Sequence, residues 1–153
     1  MKLTRQSEYG LKGLIYLAKK SDKKAVLTSE VSAAQNIPQS FLNKIFQKLV
    51  RAGILKSYRG YRGGFALARP PREITLRRII ETLEGPVDLW PQADRFSSKD
   101  SLTGGSGSSL ALLSVWQKTQ IRINRILDRI TIKDILKKSH KIDKLNERPQ
   151  ENH

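Results

Sequence analysis

Apolar residues recur at helical spacing in three successive segments at the start of the chain. Between residues 4 and 19 they stand three or four positions apart, and Thr4 or Ser7 can serve as the N-cap. After a polar break, a second and shorter helix is predicted from Thr28. A third helix opens at Pro38, because proline fits the first turn, where its missing N–H is not needed. The apolar residues of this third helix are Phe41, Leu42, Ile45, Phe46, Leu49 and Val50.

A β-hairpin is predicted directly after the third helix. Gly53 stands where a helix C-terminus favours a left-handed residue, and residues 54–58 and 65–68 read as two short strands around a glycine-rich turn. Thr75 then caps a fourth helix that runs to about Glu84. The pattern therefore predicts a mainly α fold with one small β-hairpin.

The rest of the chain divides into a loop, a long helix and a tail. Residues 87–109 are polar and rich in serine and glycine, which indicates a flexible loop. A long helix follows over 110–129, and Thr131 caps a last short helix through Lys138. The predicted organisation is a compact domain over 1–86, the loop 87–109, helices over 110–139 and a disordered tail over 140–153.

An apolar stripe marks one side of the long helix, at alternating steps of three and four residues. Its members are Leu113, Trp116, Gln120, Ile123, Leu127 and Ile130. Such a stripe needs a surface to bury it, either on its own domain or on a second copy of the chain. A second copy is favoured because the globular half is small, so these residues are the predicted dimer interface.

Positive charge is concentrated in the first half of the chain. The net charge is +15, and residues 1–72 hold fifteen Lys and Arg against three Asp and Glu, a local balance of +12. Residues 73–153 contribute only the remaining +3. A charge placed in this way predicts a polyanionic partner for the first half.

Several function classes are excluded by composition. The absence of cysteine excludes disulfides and thiolate chemistry, and neither His140 nor His153 has metal-ligand spacing, so no metal site and no cofactor are expected. The sequence has no Gly-rich phosphate loop containing lysine, and an enzyme is not expected. No apolar run approaches the roughly 20 residues needed to cross a membrane, and no signal-peptide pattern is present. A cytoplasmic protein is expected.

The polar side of the third helix carries the candidate DNA contacts. Its residues are Gln39, Ser40, Asn43, Lys44, Gln47, Lys48 and Arg51. The major groove of B-DNA admits one α-helix, whose N-terminal residues read base edges. Gln39, Ser40 and Asn43 lie in the first turns, where Gln and Asn can pair with adenine, and Lys44 can donate to guanine. The last three are predicted to contact phosphates, and the absence of any acid favours DNA over a merely solvated face.

The hairpin turn carries a second candidate site. Arg59 and Arg62 lie at its tip, where arginine gains from the negative potential of a narrow minor groove. Tyr58 or Tyr61 could pair with a phosphate or pack as an ordinary aromatic, and Tyr61 at the tip is the better candidate. A polar helix followed by a basic hairpin is typical of a winged helix-turn-helix domain.

These segments together resemble the Rrf2 family of bacterial transcription regulators. The likeness is carried by Met1–Leu11 for the opening helix, Ile37–Ile45 for the recognition helix, Gly60–Pro70 and Ile74–Pro86 for the wing and the next helix, and Trp116 with Ile130–Leu136 for the C-terminal part. The resemblance implies a homodimer that binds a roughly palindromic promoter site, with the helix 110–129 as the dimerisation helix.

One departure from the family pattern changes the expected chemistry. Many members carry three cysteines before the long helix that ligate an iron–sulfur cluster, whereas residues 88–114 here contain none. Glu8 lies near where some members supply a further ligand, but one carboxylate cannot hold a cluster, so it is interpreted as an ordinary helix residue. The prediction is a cluster-free member.

The favoured function is a sequence-specific transcription regulator that binds double-stranded DNA. If it receives a signal, a protein or small-molecule effector is expected at the loop 87–109. The alternative is a protein-interaction module that keeps the winged-helix fold and controls a partner enzyme, using this loop and the long helix. The uneven charge favours the DNA-binding function.

Overall fold

The structure is a computed structural model that describes residues 3–61, 63–89 and 107–147. In these ranges six α-helices accompany a two-stranded antiparallel sheet. The elements are α1 (Arg5–Lys19), α2 (Thr28–Gln35), α3 (Gln39–Arg51), β1 (Leu55–Tyr58), β2 (Gly64–Leu67), a 3-10 turn (Pro71–Glu73), α4 (Leu76–Glu84), α5 (Gly107–Arg129) and α6 (Ile132–Asn146). The mainly α fold with one hairpin is confirmed.

The core forms where α1, α3 and α4 meet. On α3 the residues Leu42, Ile45, Phe46 and Leu49 are fully or almost fully buried, which leaves the opposite side to solvent. Gly13 of α1 lies directly against Phe46, because a Cβ atom there would stand 2.7 Å from the phenylalanine ring. The helices therefore pack closely enough to fix the direction of the exposed face of α3.

The hairpin is extended by a third, very short strand. Residues of β1 and β2 pair from Leu55 with Leu67 to Tyr58 with Gly64, and Val26 forms an isolated antiparallel bridge to Phe65. The amide of Val26 donates to the Phe65 carbonyl at 2.9 Å, and the amide of Phe65 donates back at 2.8 Å. The segment between α1 and α2 is thereby attached to the base of the wing.

The C-terminal end of α4 is joined to the start of α1 through Glu84. Its carboxylate accepts hydrogen bonds from the hydroxyl of Ser7 at 2.6 Å and from the hydroxyl and amide of Thr4. Partial burial alone would raise the pKa of Glu84, but the hydrogen bonds from Ser7 and Thr4 outweigh it and the pKa is lowered. The ionised carboxylate is thus the form that holds α1 and α4 together.

The two C-terminal helices are attached to the domain at the start of α4. Thr75 forms a bridge with Thr131, and the amide of Leu76 donates to the Ile130 carbonyl at 2.8 Å. Thr131 and Asp134 form a capping box at the N-terminus of α6, and Ile132 is fully buried in the domain core. The junction between α5 and α6 is therefore part of the folded domain.

Two predicted boundaries in the C-terminal half are wrong. The long helix begins at Gly107 rather than at residue 110, and α6 continues to Asn146, where the sequence predicted an end at Lys138 and a disordered tail from residue 140. The segment after Lys138 is rich in charged residues, so the sequence pattern did not indicate that the helix continues. In the structure α6 packs through Ile135 and Leu136, and its later residue Asp143 forms an ion pair with Lys19 at 3.2 Å. The remaining predicted loop and tail, over 90–106 and 148–153, lie outside the described residues.

No helix in the described ranges has the length and apolar character needed to cross a membrane.

Candidate nucleic-acid interface

The polar face of α3 is fully presented to solvent. All seven residues predicted to contact DNA on this helix are exposed: Gln39, Ser40, Asn43, Lys44, Gln47, Lys48 and Arg51. The first turn contains no acidic residue, whereas Lys48 and Arg51 lie in the last turn. The helix therefore presents uncharged hydrogen-bonding groups at its N-terminus and cations farther along, as base contacts and phosphate contacts would require.

Lys48 is held in place by a neighbouring side chain from α1. Its ammonium donates to the amide oxygen of Gln6 at 2.9 Å, and the amide nitrogen of Gln6 donates to the carbonyl of Leu83 in α4. One glutamine thus connects α1 and α4 to the candidate DNA-binding surface.

Phe41, one of the apolar residues of the predicted third helix, does not lie in the core. Phe46 is fully buried, but Phe41 is 41 % exposed and packs edge-on against Tyr9, with ring centroids 5.7 Å apart. It closes the edge between α1 and the recognition helix because its position falls at the boundary of the apolar face.

The wing presents its basic turn away from the domain. Arg59 is exposed, and Tyr61 is 99 % exposed at the tip. The turn depends on glycine at Gly60, whose φ of 97° disfavours a side chain. Arg62, the other predicted arginine of the wing, lies outside the described residues.

Tyr58 carries two lysines over its ring, which the sequence did not predict. The ammonium of Lys24 lies 5.4 Å and that of Lys56 lies 5.6 Å from the ring centroid. Lys24 comes from the turn between α1 and α2, so no local spacing in the sequence connects it to the wing. Only the pairing of Val26 with Phe65 brings the two segments together.

The predicted dimer stripe of α5 partly faces its own chain. Gln120 accepts a hydrogen bond from the amide of Leu89 at 2.7 Å and donates to the carbonyl of Val87. Leu113, Ile123, Leu127 and Ile130 are half-buried, and Trp116 is 36 % exposed. More exposed apolar residues lie beside the stripe: Leu112 at 50 %, Val115 at 59 % and Ile126 at 58 %.

A mostly apolar cavity lies between α5 and the start of the predicted loop. Its volume is about 310 Å³, and its lining includes Leu89, Leu113, Trp116 and Ile121. A cavity of this size and character can hold a small apolar ligand.

Glu8 does not form a metal site. Its carboxylate lies 2.6 Å from the ammonium of Lys12, and this hydrogen bond lowers the pKa of Glu8. No group of three His, Cys, Asp or Glu side chains in the described part of the chain is arranged to hold a metal ion. Since the sequence contains no cysteine, the donors present do not fit an iron–sulfur cluster.

The chain matches the family model Rrf2, described as iron-dependent transcriptional regulator, over residues 3–138. A protein of Synechocystis sp. described as an HTH-type transcriptional regulator is 36 % identical over 88 % of this chain and 87 % of its own length. The HTH-type transcriptional regulator IscR of Cereibacter sphaeroides is 33 % identical over 90 % and 88 %. Among solved structures, CymR of B. subtilis, the global cysteine regulator, is similar with a TM-score of 0.69 and 26 % identity, over 90 % of this chain and 97 % of that chain.

Proposed function

The chain belongs to the Rrf2 family of transcriptional regulators, and on this basis we propose that it binds a palindromic promoter site as a cluster-free homodimer. It is a DNA-binding transcription regulator and not an enzyme, as the sequence predicted. The observation that carries the finer proposal is the exposed, acid-free polar face of α3 beside a basic wing.

Base recognition is assigned to the N-terminal half of this face. Gln39, Ser40, Asn43 and Lys44 reach base edges in the major groove, while Gln47, Lys48 and Arg51 contact phosphates. Arg59 and Arg62, with Tyr61, engage the adjacent minor groove and its phosphates. The uneven charge of the chain supports this division, because the excess of Lys and Arg lies in the domain that carries both surfaces.

Dimerisation is assigned to α5. The exposed Leu112, Val115 and Ile126 extend the half-buried stripe, and a second copy of the helix would bury them. A two-fold dimer presents two recognition helices, which requires half-sites about one helical turn, roughly 34–36 Å, apart.

The signal that controls DNA binding is assigned to the surface around the loop 87–109. The apolar cavity beside Leu89 and Trp116 supports a small apolar effector at the start of this loop. An iron–sulfur cluster is not part of the proposal, because the chain has no thiolate to ligate it.

A selection of fragmented genomic DNA by the purified protein at physiological salt tests the function. We expect sequencing of the bound fragments to show enrichment of a short inverted repeat. Even recovery of all fragments would contradict base reading. It would favour the alternative, a protein-interaction module that controls a partner enzyme through the loop and α5.

Single substitutions test whether α3 reads bases while the wing contributes to binding independently of sequence. Replacing Gln39 with alanine should relax the preference for one base by about 10-fold, since a good base contact contributes about 1–3 kcal/mol of discrimination. Replacing Arg59 with alanine should weaken binding to the selected site and to scrambled DNA alike. Affinities of both variants for the two duplexes, measured by fluorescence anisotropy, check this. Equal losses on both duplexes for both variants would contradict the assignment.

A further inference from the structure

A compact basic patch lies beside the wing, outside the surfaces assigned above. It consists of Lys24, Lys56 and Tyr58, and we call it the lysine–tyrosine patch. Both ammonium groups lie within 6 Å of the same ring, at 5.4 Å and 5.6 Å from its centroid. Two cations are thereby held around one aromatic side chain.

The fold builds this patch from two separate segments. Lys56 and Tyr58 stand two residues apart on β1 and therefore project from the same face of the hairpin. Lys24 arrives from the turn before α2, because Val26 pairs with Phe65 next to Gly64. The Gly64 position permits this close approach, since a Cβ atom there would stand 2.3 Å from the Val26 carbonyl oxygen.

The charge of the patch is not neutralised within the described part of the chain. Neither Lys24 nor Lys56 forms an ion pair with any residue there. The carboxylate of Glu30, six positions after Lys24 in the sequence, is engaged by the hydroxyl of Tyr16 at 2.9 Å and by Lys23 at 3.2 Å. Two ammonium groups around one ring, without an ion-pair partner in the described ranges, can each attract an anion.

The position of the patch identifies the anion. Lys56 and Tyr58 lie on β1, the strand that leads into the turn with Arg59, so the patch belongs to the same hairpin as the surface proposed to enter the minor groove. A duplex that contacts the hairpin at its turn would continue on either side of that contact. The nearest repeated anions on such a duplex are the phosphates of its backbone.

We propose that the lysine–tyrosine patch binds backbone phosphates of the DNA that flanks each half-site, beyond the contact of the wing. The inference rests on the proposed function and deepens it, because it extends the footprint without adding base recognition. Lys24 and Lys56 each neutralise a phosphate, and the ring of Tyr58 keeps their ammonium groups together. The affinity for DNA then depends on how far the duplex continues past the inverted repeat.

The test compares two duplexes that carry the selected inverted repeat. One ends at the outer edge of the repeat, and the other continues by about one helical turn, roughly 10 base pairs, on both sides. We expect the natural protein to bind the longer duplex at least about 10-fold more tightly, since each phosphate contact releases counterions. The double variant Lys24→Ala/Lys56→Ala should lose this advantage and bind the shorter duplex as before.

The salt dependence of DNA binding and a set of matched variants distinguish phosphate contacts by the patch from a general effect of positive charge. The slope of log Kobs against log salt on the longer duplex should become shallower by about 2 per protomer in the double variant. The control Lys137→Ala/Lys141→Ala removes the same charge from exposed positions of α6. It should change neither the salt slope nor the difference in affinity between the two duplexes. Lys24→Arg/Lys56→Arg should retain the advantage of the longer duplex.

Equal binding of the two duplexes by the natural protein would overturn the inference, as would an equal loss in the α6 control. Either result leaves the proposed function intact when the Gln39 and Arg59 variants still behave as expected. Failure to select any repeat would instead overturn the proposed function itself. All four lysines are exposed, so circular dichroism of the variants should match that of the natural protein.

Discussion

Replacing Gly64 with alanine is expected to lower the free energy of unfolding by about 3 kcal/mol. The backbone at Gly64 has a φ of 132°, and a Cβ atom would stand 2.3 Å from the carbonyl oxygen and 2.6 Å from the carbonyl carbon of Val26. These are backbone atoms in the bridge from Val26 to Phe65, so they cannot rotate away as a side chain would. Urea unfolding followed by circular dichroism at one fixed protomer concentration measures the change.

Gly60 provides the matched control. It also has a positive φ, 97°, but a Cβ atom there would meet nothing within 4 Å. Alanine at this position carries only the conformational cost, about 1 kcal/mol. If Gly60→Ala and Gly64→Ala destabilise the protein equally, the close approach of Val26 to the wing is not what Gly64 is needed for.

The exposed polar face of α3, which is the proposed recognition surface, could be predicted from the sequence because its signals are local. On α3 the buried residues and the polar residues alternate with the helical period, so burying Leu42, Ile45 and Leu49 leaves Asn43, for example, exposed. Thr75 was identified as an N-cap by its position before an apolar run, and its side chain accepts from the Arg78 amide. Each of these signals lies within one element.

The features that could not be predicted depend on contacts between distant segments. Lys24 lies in a polar turn whose sequence looks like an ordinary solvent-exposed connection between helices. The bridge from Val26 to Phe65 is a tertiary contact, and it brings Lys24 to Tyr58. The end of α6 was missed for a similar reason. Its exposed Ile142 and Leu145 lie among charged residues, and near its end Asp143 forms an ion pair with Lys19 of α1.

The apolar surface of α5 is wider than the predicted stripe, and this width bears on the proposed dimer. Gln120, hydrogen bonded to residues 87–89, marks the side of the helix that faces its own chain. Leu112, Val115 and Ile126 lie on one side of that stripe and are at least half exposed. An apolar sector that exceeds what one packing surface covers agrees with the proposed dimer, in which one surface lies within the protomer and a second would lie between protomers.

If the proposed dimer forms through this surface, replacing Val115 with aspartate should convert it to a monomer and weaken binding to the inverted repeat by at least about 100-fold. Val115 is 59 % exposed in the protomer, so a charge there leaves the fold intact, whereas in the dimer it would be buried without a partner. A monomer occupies one half-site and loses the gain in effective concentration that comes from linking two recognition helices, which typically raises affinity by about 10²–10⁴. Sedimentation equilibrium and DNA titration of the same preparation measure the two effects.

Ser114→Asp supplies the control for this substitution. It adds the same charge to the same helix at the adjacent, exposed position, which one residue of helical rotation turns by about 100° away from Val115. This variant should remain dimeric and retain its affinity, because added charge alone reduces phosphate attraction only slightly in a chain of net charge +15. A Val115→Asp protein that stays dimeric would place the interface elsewhere on α5. A monomeric protein with full affinity for the inverted repeat would show instead that one α3 helix and one wing suffice for binding. That result would contradict the proposal that a two-fold dimer binds both half-sites.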